Sequence, residues 1–283
     1  MYIHSEMLPE WRASAPSVEE LLTLQLAGYS GREIIRTKHE LLKAMAAKLE
    51  KERVKAKHLL ALQQELGITT LSYFDKKYPK HFSENLGDDT PLLLHLLGNQ
   101  ELLYAENCVT IIGSRKANQQ GLEAAYELAK KYATEGRPVV SGLALGCDTA
   151  AHTGCLDAGG RTIAIVASGL DRVHPKSNAG LQERILEQGG LVVSEHPVGV
   201  KANPTRLVAR CRMQVVLSPD VVVAQCPVIS GTMYAVEFAR LYDGDIYGWE
   251  NTIYAVPYTP YTDESSGNQF LLEHGLATPI NYF

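Results

Sequence analysis

The sequence has no apolar run close to the roughly 20 residues that a membrane-spanning helix needs. Its first residues, MYIHSEMLPEW, also lack the basic and then apolar pattern of a secretory signal. The five cysteines are odd in number, scattered along the chain and never spaced as C-x-x-C. We therefore expect a cytoplasmic protein without a membrane partner, a disulfide framework or a metal site.

Positive charge is also scarce, because 27 Lys and Arg stand against 32 Asp and Glu and give a net charge of -5 at pH 7. Proteins that bind DNA non-specifically draw on clustered Lys and Arg, so this balance argues against a chain coated with basic residues. It still allows a local basic groove. The hydrophobic fraction of 45% is typical of a folded protein, and 283 residues favour one large domain plus a smaller one.

Residues from about 16 to 65 carry apolar positions at helical spacing, as in VEELLTLQLAGYSGREII and HELLKAMAAKLEKERVKAKHLLALQQEL. The pattern predicts a small helical domain over residues 1–65. In KLEKERVKAK the basic residues are interleaved with Glu, which is typical of a solvated helix face. We therefore interpret this domain as a packing module and assign no DNA contact to it.

From residue 66 onward the sequence changes to short apolar segments. Buried strands are predicted at CVTIIG, GRPVVSG, RTIAIVAS, LVVSE, DVVVAQ and TIYAVP, and most are separated by segments with helical periodicity. Strands that alternate with helices imply a parallel sheet with helices on both faces. The sequence therefore predicts an α/β fold, with a doubly wound, mostly parallel, Rossmann-like sheet in a domain over residues 66–283.

Ligands of such sheets bind where loops leave the carboxyl ends of the strands, so the segment after VTII is informative. It reads Gly113-Ser114-Arg115-Lys116 and precedes a predicted helix. Glycine permits close backbone approach, a helix start offers free N–H groups, and Arg115 adds a phosphate-binding guanidinium, so we predict an anion site. The segment matches neither G-x-G-x-x-G nor G-x-x-x-x-G-K-[ST], so a dinucleotide cofactor and a nucleoside triphosphatase lack their fingerprint.

The loop SGLALGCD follows the next predicted strand. Ser141 and Gly142 are placed to turn backbone amides toward a ligand. Asp148 is interpreted as a helix cap rather than a catalyst. His152 lies one helical turn further on, where a contact with Asp148 is possible. A structural role is favoured for His152, because no nucleophile or further metal ligand accompanies it.

Further along the chain, more basic and small polar residues follow predicted strands. The loop after AIVA contains Gly169, Lys176 and Asn178, of which Lys176 brings positive charge to the same rim as Arg115. The segment VKANPTRLVARCRMQ has four basic residues and no acidic one, the best compositional hint of a polyanionic partner. They are Lys201, Arg206, Arg210 and Arg212. The loop after DVVVAQ opens a helix and supplies another candidate phosphate site, Ser230-Gly231-Thr232.

Taken together, the motifs IIGSRKAN, VVSGLALGCDTAAHTGCLDAGGRTIAIVASGLDRVHPKSN, GLVVSEHPVG, SGTMYAVEFA and IYAVP resemble the DprA/Smf family over nearly all of residues 64–283. The resemblance implies an extended Rossmann-like domain, usually a homodimer, without cofactor or catalysis. It also implies binding of single-stranded DNA and loading of a RecA-type recombinase on incoming DNA during natural transformation.

The resemblance can be carried over residue by residue. The arginine of the family's GSR motif corresponds to Arg115, and the lysine of its GLD-x-x-x-P-K motif corresponds to Lys176. The two arginines of its R-N-R segment fall on Arg210 and Arg212, with Cys211 between them. The insertion LYDGDIYGWEN is longer than the family pattern and can alter the dimer surface.

Two other classes of function stay open. One is a nucleotide-ligand sensor or nucleotide-processing enzyme on the same fold. Lonely-guy type phosphoribohydrolases carry P-G-G-x-G-T-x-x-E, whereas here Glu237 lies five residues past Thr232 instead of three, roughly 200° further around a helix. The other is a structural or adaptor protein that works through its helical domain. It predicts no affinity for polyanions.

Overall fold

The computed structural model describes residues 15–241 and 251–282, and nine strands lie within these ranges. They are β1 (Thr69–Ser72), β2 (Leu93–Gly98), β3 (Val109–Ile112), β4 (Val139–Ser141), β5 (Thr162–Ile165), β6 (Leu191–Ser194), β7 (Asp220–Val223), β8 (Thr252–Ala255) and β9 (Thr278–Pro279). All strands join one sheet in the order β1-β2-β6-β5-β4-β3-β7-β8-β9. Every pairing from β6 to β9 is parallel, while β1 and β2 add an antiparallel end.

The first helices of the described chain form a bundle against the antiparallel end of the sheet. They are α1 (Val18–Leu26), α2 (Gly31–Ile35), α3 (His39–Ala46) and α4 (Glu50–Glu65). Capping boxes begin α1, at Ser17 with Glu20, and α2, at Ser30 with Glu33. The buried leucines of this bundle pack with Phe74, so one apolar cluster continues from the helices into the α/β part. The domain boundary at residues 65 and 66 stays a prediction.

The remaining helices cover both faces of the sheet. They are α5 (Lys80–Asn85), α6 (Gln119–Thr134), α7 (Cys147–Asp157), α8 (Ala179–Glu187), α9 (Pro204–Ala209), α10 (Cys211–Val215), α11 (Gly231–Leu241) and α12 (Ser266–Glu273). Along β3, Ile111 packs against α6 and α7, whereas Ile112 packs with residues of α10, α11 and α12. Successive side chains of a strand point to opposite faces, so each strand contributes to two apolar layers. The predicted doubly wound, mostly parallel sheet is confirmed.

The strand order places a topological switch beside β3. The chain runs from β3 outward through β4, β5 and β6, and then crosses back to β7 on the other side of β3. The segments that leave β3 and β7 therefore diverge and open a crevice at the carboxyl ends of these two strands. Within the described residues, no helix combines the length and the apolar character needed to cross a membrane. Most of the insertion LYDGDIYGWEN, residues 242–250, lies outside the described ranges.

Candidate nucleic-acid interface

A cleft of about 710 Å³ opens at this switch point. Five segments line it: the loop after β3, the segment after β4 with the start of α7, the region of α9 and α10, the loop after β7 with the start of α11, and a short 3-10 helix before α12. A second hollow of about 180 Å³ adjoins it, and Arg115 and Arg210 line both. Of the predicted site residues, eight line the larger cleft and Gly142 lines the smaller one. The eight are Gly113, Ser114, Arg115, Lys116, Arg210, Ser230, Gly231 and Thr232.

The loop after β3 is held by close backbone packing. A Cβ on Gly113 would lie 2.4 Å from Sγ of Cys147, so this position requires glycine. The Ser114 amide donates to the Gln225 carbonyl at 2.7 Å, and the Cys147 amide donates to the Ser114 carbonyl at 3.1 Å. These contacts fix the backbone that presents the next two side chains to the cleft.

Gln225 connects the loop after β7 to the loop after β3 by hydrogen bonds. It was not among the predicted site residues. It follows β7, and its Oε1 accepts from the Asn118 amide at 2.9 Å. Its Nε2 donates to Oδ1 of Asn118, also at 2.9 Å. Asn118 in turn caps α6 by accepting from the Gly121 amide at 3.1 Å. A glutamine directly after an apolar strand was the available sequence signal, and the structure shows that this glutamine is buried.

Several cations at this edge of the sheet, Lys201 and Arg206 among them, form no ion pair within the described residues, and three more belong to the predicted site. Arg115 and Lys116 are exposed on the loop after β3, and Lys176 is exposed on a 3-10 helix that follows β5. Within residues 15–241 and 251–282, none of the ion pairs includes these three side chains. Lys176 lines neither hollow, but it directly follows Pro175, which lines the smaller one. Because these three cations form no ion pair in the part of the chain that the structure describes, they are available to an external anion.

The loop after β4 has a strained backbone. Leu143 adopts a φ of 59°, in the left-handed region that side chains other than glycine rarely occupy. Nδ2 of Asn178 donates to the Leu143 carbonyl at 2.9 Å, and the Leu143 amide donates to Nε2 of His152 at 3.3 Å. Ser141 is also buried, and its hydroxyl donates to the Ile111 carbonyl at 2.7 Å. Ser141 and Asn178, both predicted to bind phosphate, thus shape the loop from inside.

His152 and Asp148 are likewise internal. Nδ1 of His152 pairs with the hydroxyl of Thr162 at 2.7 Å, and burial together with the charge of Arg210 lowers the pKa of His152 to about 3. Oδ2 of Asp148 accepts from the Ala144 amide at 3.2 Å. Burial raises the pKa of Asp148 above its ordinary value, and the nearby Arg210 opposes that shift. The described contacts therefore give His152 a structural role, and the carboxylate of Asp148 pairs with the guanidinium of Arg210.

Arg210 and Arg212 are buried rather than displayed at the surface. Nη1 of Arg210 donates to the Gly142 carbonyl and, at 2.6 Å, to the Ile165 carbonyl. Nη2 of Arg210 lies 3.7 Å from Oδ2 of Asp148. Arg212 forms a two-pronged pair with Glu195, at 2.9 and 2.6 Å, and does not line either hollow. The geometry gives both arginines an internal role. Their contact with DNA stays a prediction, and Arg212 would have to leave its carboxylate partner to make one.

Two predicted site glycines are explained by packing. A Cβ on Gly142 would lie 2.4 Å from the guanidinium of Arg210, and a Cβ on Gly169 would lie 2.4 Å from the carbonyl oxygen of Pro197. Gly169 is buried, and its amide donates to the Val200 carbonyl at 2.9 Å. Close packing inside the protein therefore accounts for glycine at both positions without any ligand.

The lining of the cleft also includes apolar residues and two exposed acidic residues. Leu207 and Pro227 line the sides, and Ile229 is 93% exposed beside them. Asp263 and Glu264, on the 3-10 helix before α12, supply carboxylates. Neither was among the predicted site residues, because they follow a loop rather than a strand. The cleft thus combines free cations, apolar surface, two exposed carboxylates and the buried carboxylate of Asp148.

Comparison with known proteins identifies the family. The family model described as DNA recombination-mediator protein A matches residues 69–282. This chain belongs to that family. Among curated relatives, the family member DNA processing protein DprA of Streptococcus pneumoniae is 34% identical over 206 residues, 73% of this chain and 69% of the relative. Protein Smf of a Synechocystis strain is 32% identical over 203 residues, and the aligned part spans 49% of that relative. The resemblance to the DprA/Smf family is confirmed.

Solved structures of the family agree with the fold. The X-ray structure of DNA processing protein A from Streptococcus pneumoniae superposes with a TM-score of 0.79 at 28% identity, over 94% of this chain and 95% of that one. A DNA processing protein A from Helicobacter pylori, whose structure addresses its single-stranded DNA binding mode, gives a TM-score of 0.66 at 29% identity. That match covers 76% of this chain and 92% of the other. Both likenesses support the Rossmann-like architecture of this family member.

Proposed function

We propose that this protein binds single-stranded DNA at the carboxyl edge of its sheet. The observation that carries the proposal is the group of three exposed cations, Arg115, Lys116 and Lys176, which form no ion pair with another described residue of this acidic chain. The single-stranded DNA binding of the Helicobacter pylori relative supports the same choice of ligand. A few unpaired cations on a well-packed loop can bind the phosphates of a flexible single strand without reading its bases.

The mode of binding follows from the chemistry of these groups. The guanidinium of Arg115 can donate two hydrogen bonds to the oxygens of one phosphate, and Lys116 and Lys176 add positive charge. The loop after β3 brings backbone amides close to the DNA strand. The family resemblance further supports a cytoplasmic homodimer that delivers the strand to a RecA-type recombinase during DNA uptake by natural transformation. In this proposal the protein positions DNA and performs no catalytic step, with no cofactor.

The proposal can be tested by fluorescence anisotropy of a labelled oligo-dT at two salt concentrations. We expect Arg115→Ala and Lys176→Ala each to weaken binding several-fold at low salt, since each removes a charge-assisted phosphate contact of about 1–2 kcal/mol. Lys131→Ala is the matched control, because Lys131 is an exposed cation in the last turn of α6. It lies about 18 Å along the helix from the end that faces the cleft.

The outcomes separate the candidate functions. Equal losses for all three variants would contradict the placement of the site at the cleft. A folded wild-type protein that binds no oligo-dT at low salt would overturn the DNA proposal and favour an adaptor role. The second candidate, a sensor of small nucleotides, is favoured by the cleft volume of about 710 Å³, which lies within the usual range for small-molecule sites. Binding of free nucleotides but not of oligonucleotides would support it.

A further inference from the structure

The larger cleft has features that a site for phosphates alone does not need. Its sides are apolar at Leu207 and Pro227, and the neighbouring Ile229 exposes 93% of its surface. An isoleucine this exposed buries almost none of its apolar area in the protein, so it contributes little to folding. Its position beside an apolar cleft is suited to covering the flat face of a nucleobase.

The floor of the same cleft holds a buried donor without a partner. Arg210 lines the cleft and is 6% exposed, yet its Nε has no hydrogen-bond partner within the described residues. Less than 1 Å² of this Nε is accessible and the guanidinium is turned to Gly142, Ile165 and Asp148, so a ligand in the cleft meets the positive charge of Arg210 rather than this donor. The carbonyl oxygen and ring nitrogen of a base carry partial negative charge, which this guanidinium attracts.

The acidic end of the cleft supplies the opposite chemistry. Asp263 and Glu264 both line it and are exposed. Glu264 is an exposed carboxylate at neutral pH, and a hydrogen bond from the Thr262 side chain lowers its pKa further. An ionised carboxylate accepts but cannot donate, and it would also repel a second phosphate.

We propose that the cleft holds one nucleotide of the bound strand, with its phosphate at the loop after β3 and its exocyclic amino group at Asp263 and Glu264. This inference rests on the proposed DNA binding and adds a base preference to it. Cytosine offers an amino group that a carboxylate accepts from, whereas thymine presents a carbonyl oxygen at the same position. The protein should therefore prefer oligo-dC to oligo-dT.

Anisotropy with labelled oligo-dC and oligo-dT of equal length tests the inference. For the wild type we expect oligo-dC to bind about tenfold more tightly, the lower range for a base-edge contact. In the double variant Asp263→Ala, Glu264→Ala the ratio of the two affinities should fall close to one. Affinity for oligo-dT should stay the same or rise, because negative charge near the strand has been removed.

The matched control is Glu40→Ala, Glu65→Ala, which removes two exposed carboxylates from the helical bundle and leaves the cleft intact. It should keep the wild-type ratio. Equal wild-type affinity for both oligonucleotides, or an unchanged ratio in the cleft variant, would overturn the base preference while leaving DNA binding in place. Free dCMP that binds as tightly as oligo-dC would also overturn it, since the site would then serve a mononucleotide. Loss of binding to both oligonucleotides in the wild type would instead refute the proposed function.

Discussion

Arg212 and Glu195 show how the environment of a residue decides its role. The pair is buried, with Arg212 8% exposed, and its two hydrogen bonds are 2.9 and 2.6 Å long. Nε of Arg212 also donates to the Asp89 carbonyl at 2.9 Å, which links the pair to the segment before β2. Burial alone would raise the pKa of Glu195, but the hydrogen bonds and charge of Arg212 outweigh burial and lower it. Both partners are thus charged and mutually dependent.

Removal of one partner should therefore be costly. We expect Glu195→Ala to lower the free energy of unfolding by about 3–5 kcal/mol, because it leaves a buried guanidinium without its counter-charge. Urea denaturation of the variant measures this loss. The exposed Glu237→Ala serves as control and should change stability by less than about 0.5 kcal/mol. A Glu195→Ala variant as stable as its control would show that the pair contributes nothing to folding.

At the scale of elements, a buried polar network joins α4 to the antiparallel end of the sheet. Nε2 of Gln63 on α4 contacts Oγ1 of Thr70 at 2.8 Å and Nδ1 of His95 at 3.1 Å, and its Oε1 accepts from the Val198 amide at 3.2 Å. Burial, aided by the charge of His196, lowers the pKa of His95 to about 3. The neutral form of His95 thus belongs to the folded state.

This network predicts a pH dependence of stability. His95 has a pKa near 6.5 when unfolded and about 3 when folded, so its contribution is complete above pH 6.5 and is lost as pH falls toward 3. Between pH 7.5 and 5.5 this one group should cost about 1.4 kcal/mol of stability. Urea midpoints for His95→Asn should show a smaller difference between the two pH values than the wild type. Substitution of the exposed His274 by Asn should leave the wild-type difference intact, and an equal effect of both variants would contradict the assignment.

At the scale of the whole molecule, a net charge of -5 coexists with a local group of free cations. An acidic body reduces non-specific attraction to nucleic acid, so the proposed binding of DNA relies on the few cations that the fold gathers at one edge. The salt dependence of binding should reflect that small number.

For single strands the slope of log Kobs against log salt is about -0.7 for each phosphate neutralised, so three cations predict a slope near -2. Anisotropy titrations over a range of salt concentrations measure the slope. Removal of Arg115 should reduce its magnitude by about 0.7. A much steeper wild-type slope would mean that other basic residues join the interface, and the arginines and lysines of α9 and its flanks would be the first to examine.

Much of the architecture was predictable because apolar periodicity is a local property of the sequence. The strands from β3 to β8 and the doubly wound sheet follow from short apolar runs alternating with helical segments, and the post-strand position of Arg115 and Lys116 follows with them. The family motifs added the DprA/Smf relationship, which the family model confirms. These features depend on neighbours in the chain, so the sequence alone determined them.

Only the tertiary structure decided which polar residues face outward. Arg210 and Arg212 lie in the segment with the strongest basic composition, yet they pair with Asp148 and Glu195, which belong to other elements of the fold. The same applies to Gln225, which joins two loops, and to Asp263, which the fold carries to the cleft. Burial and pairing are properties of packed elements, and a charge becomes available to DNA only when no distant partner neutralises it.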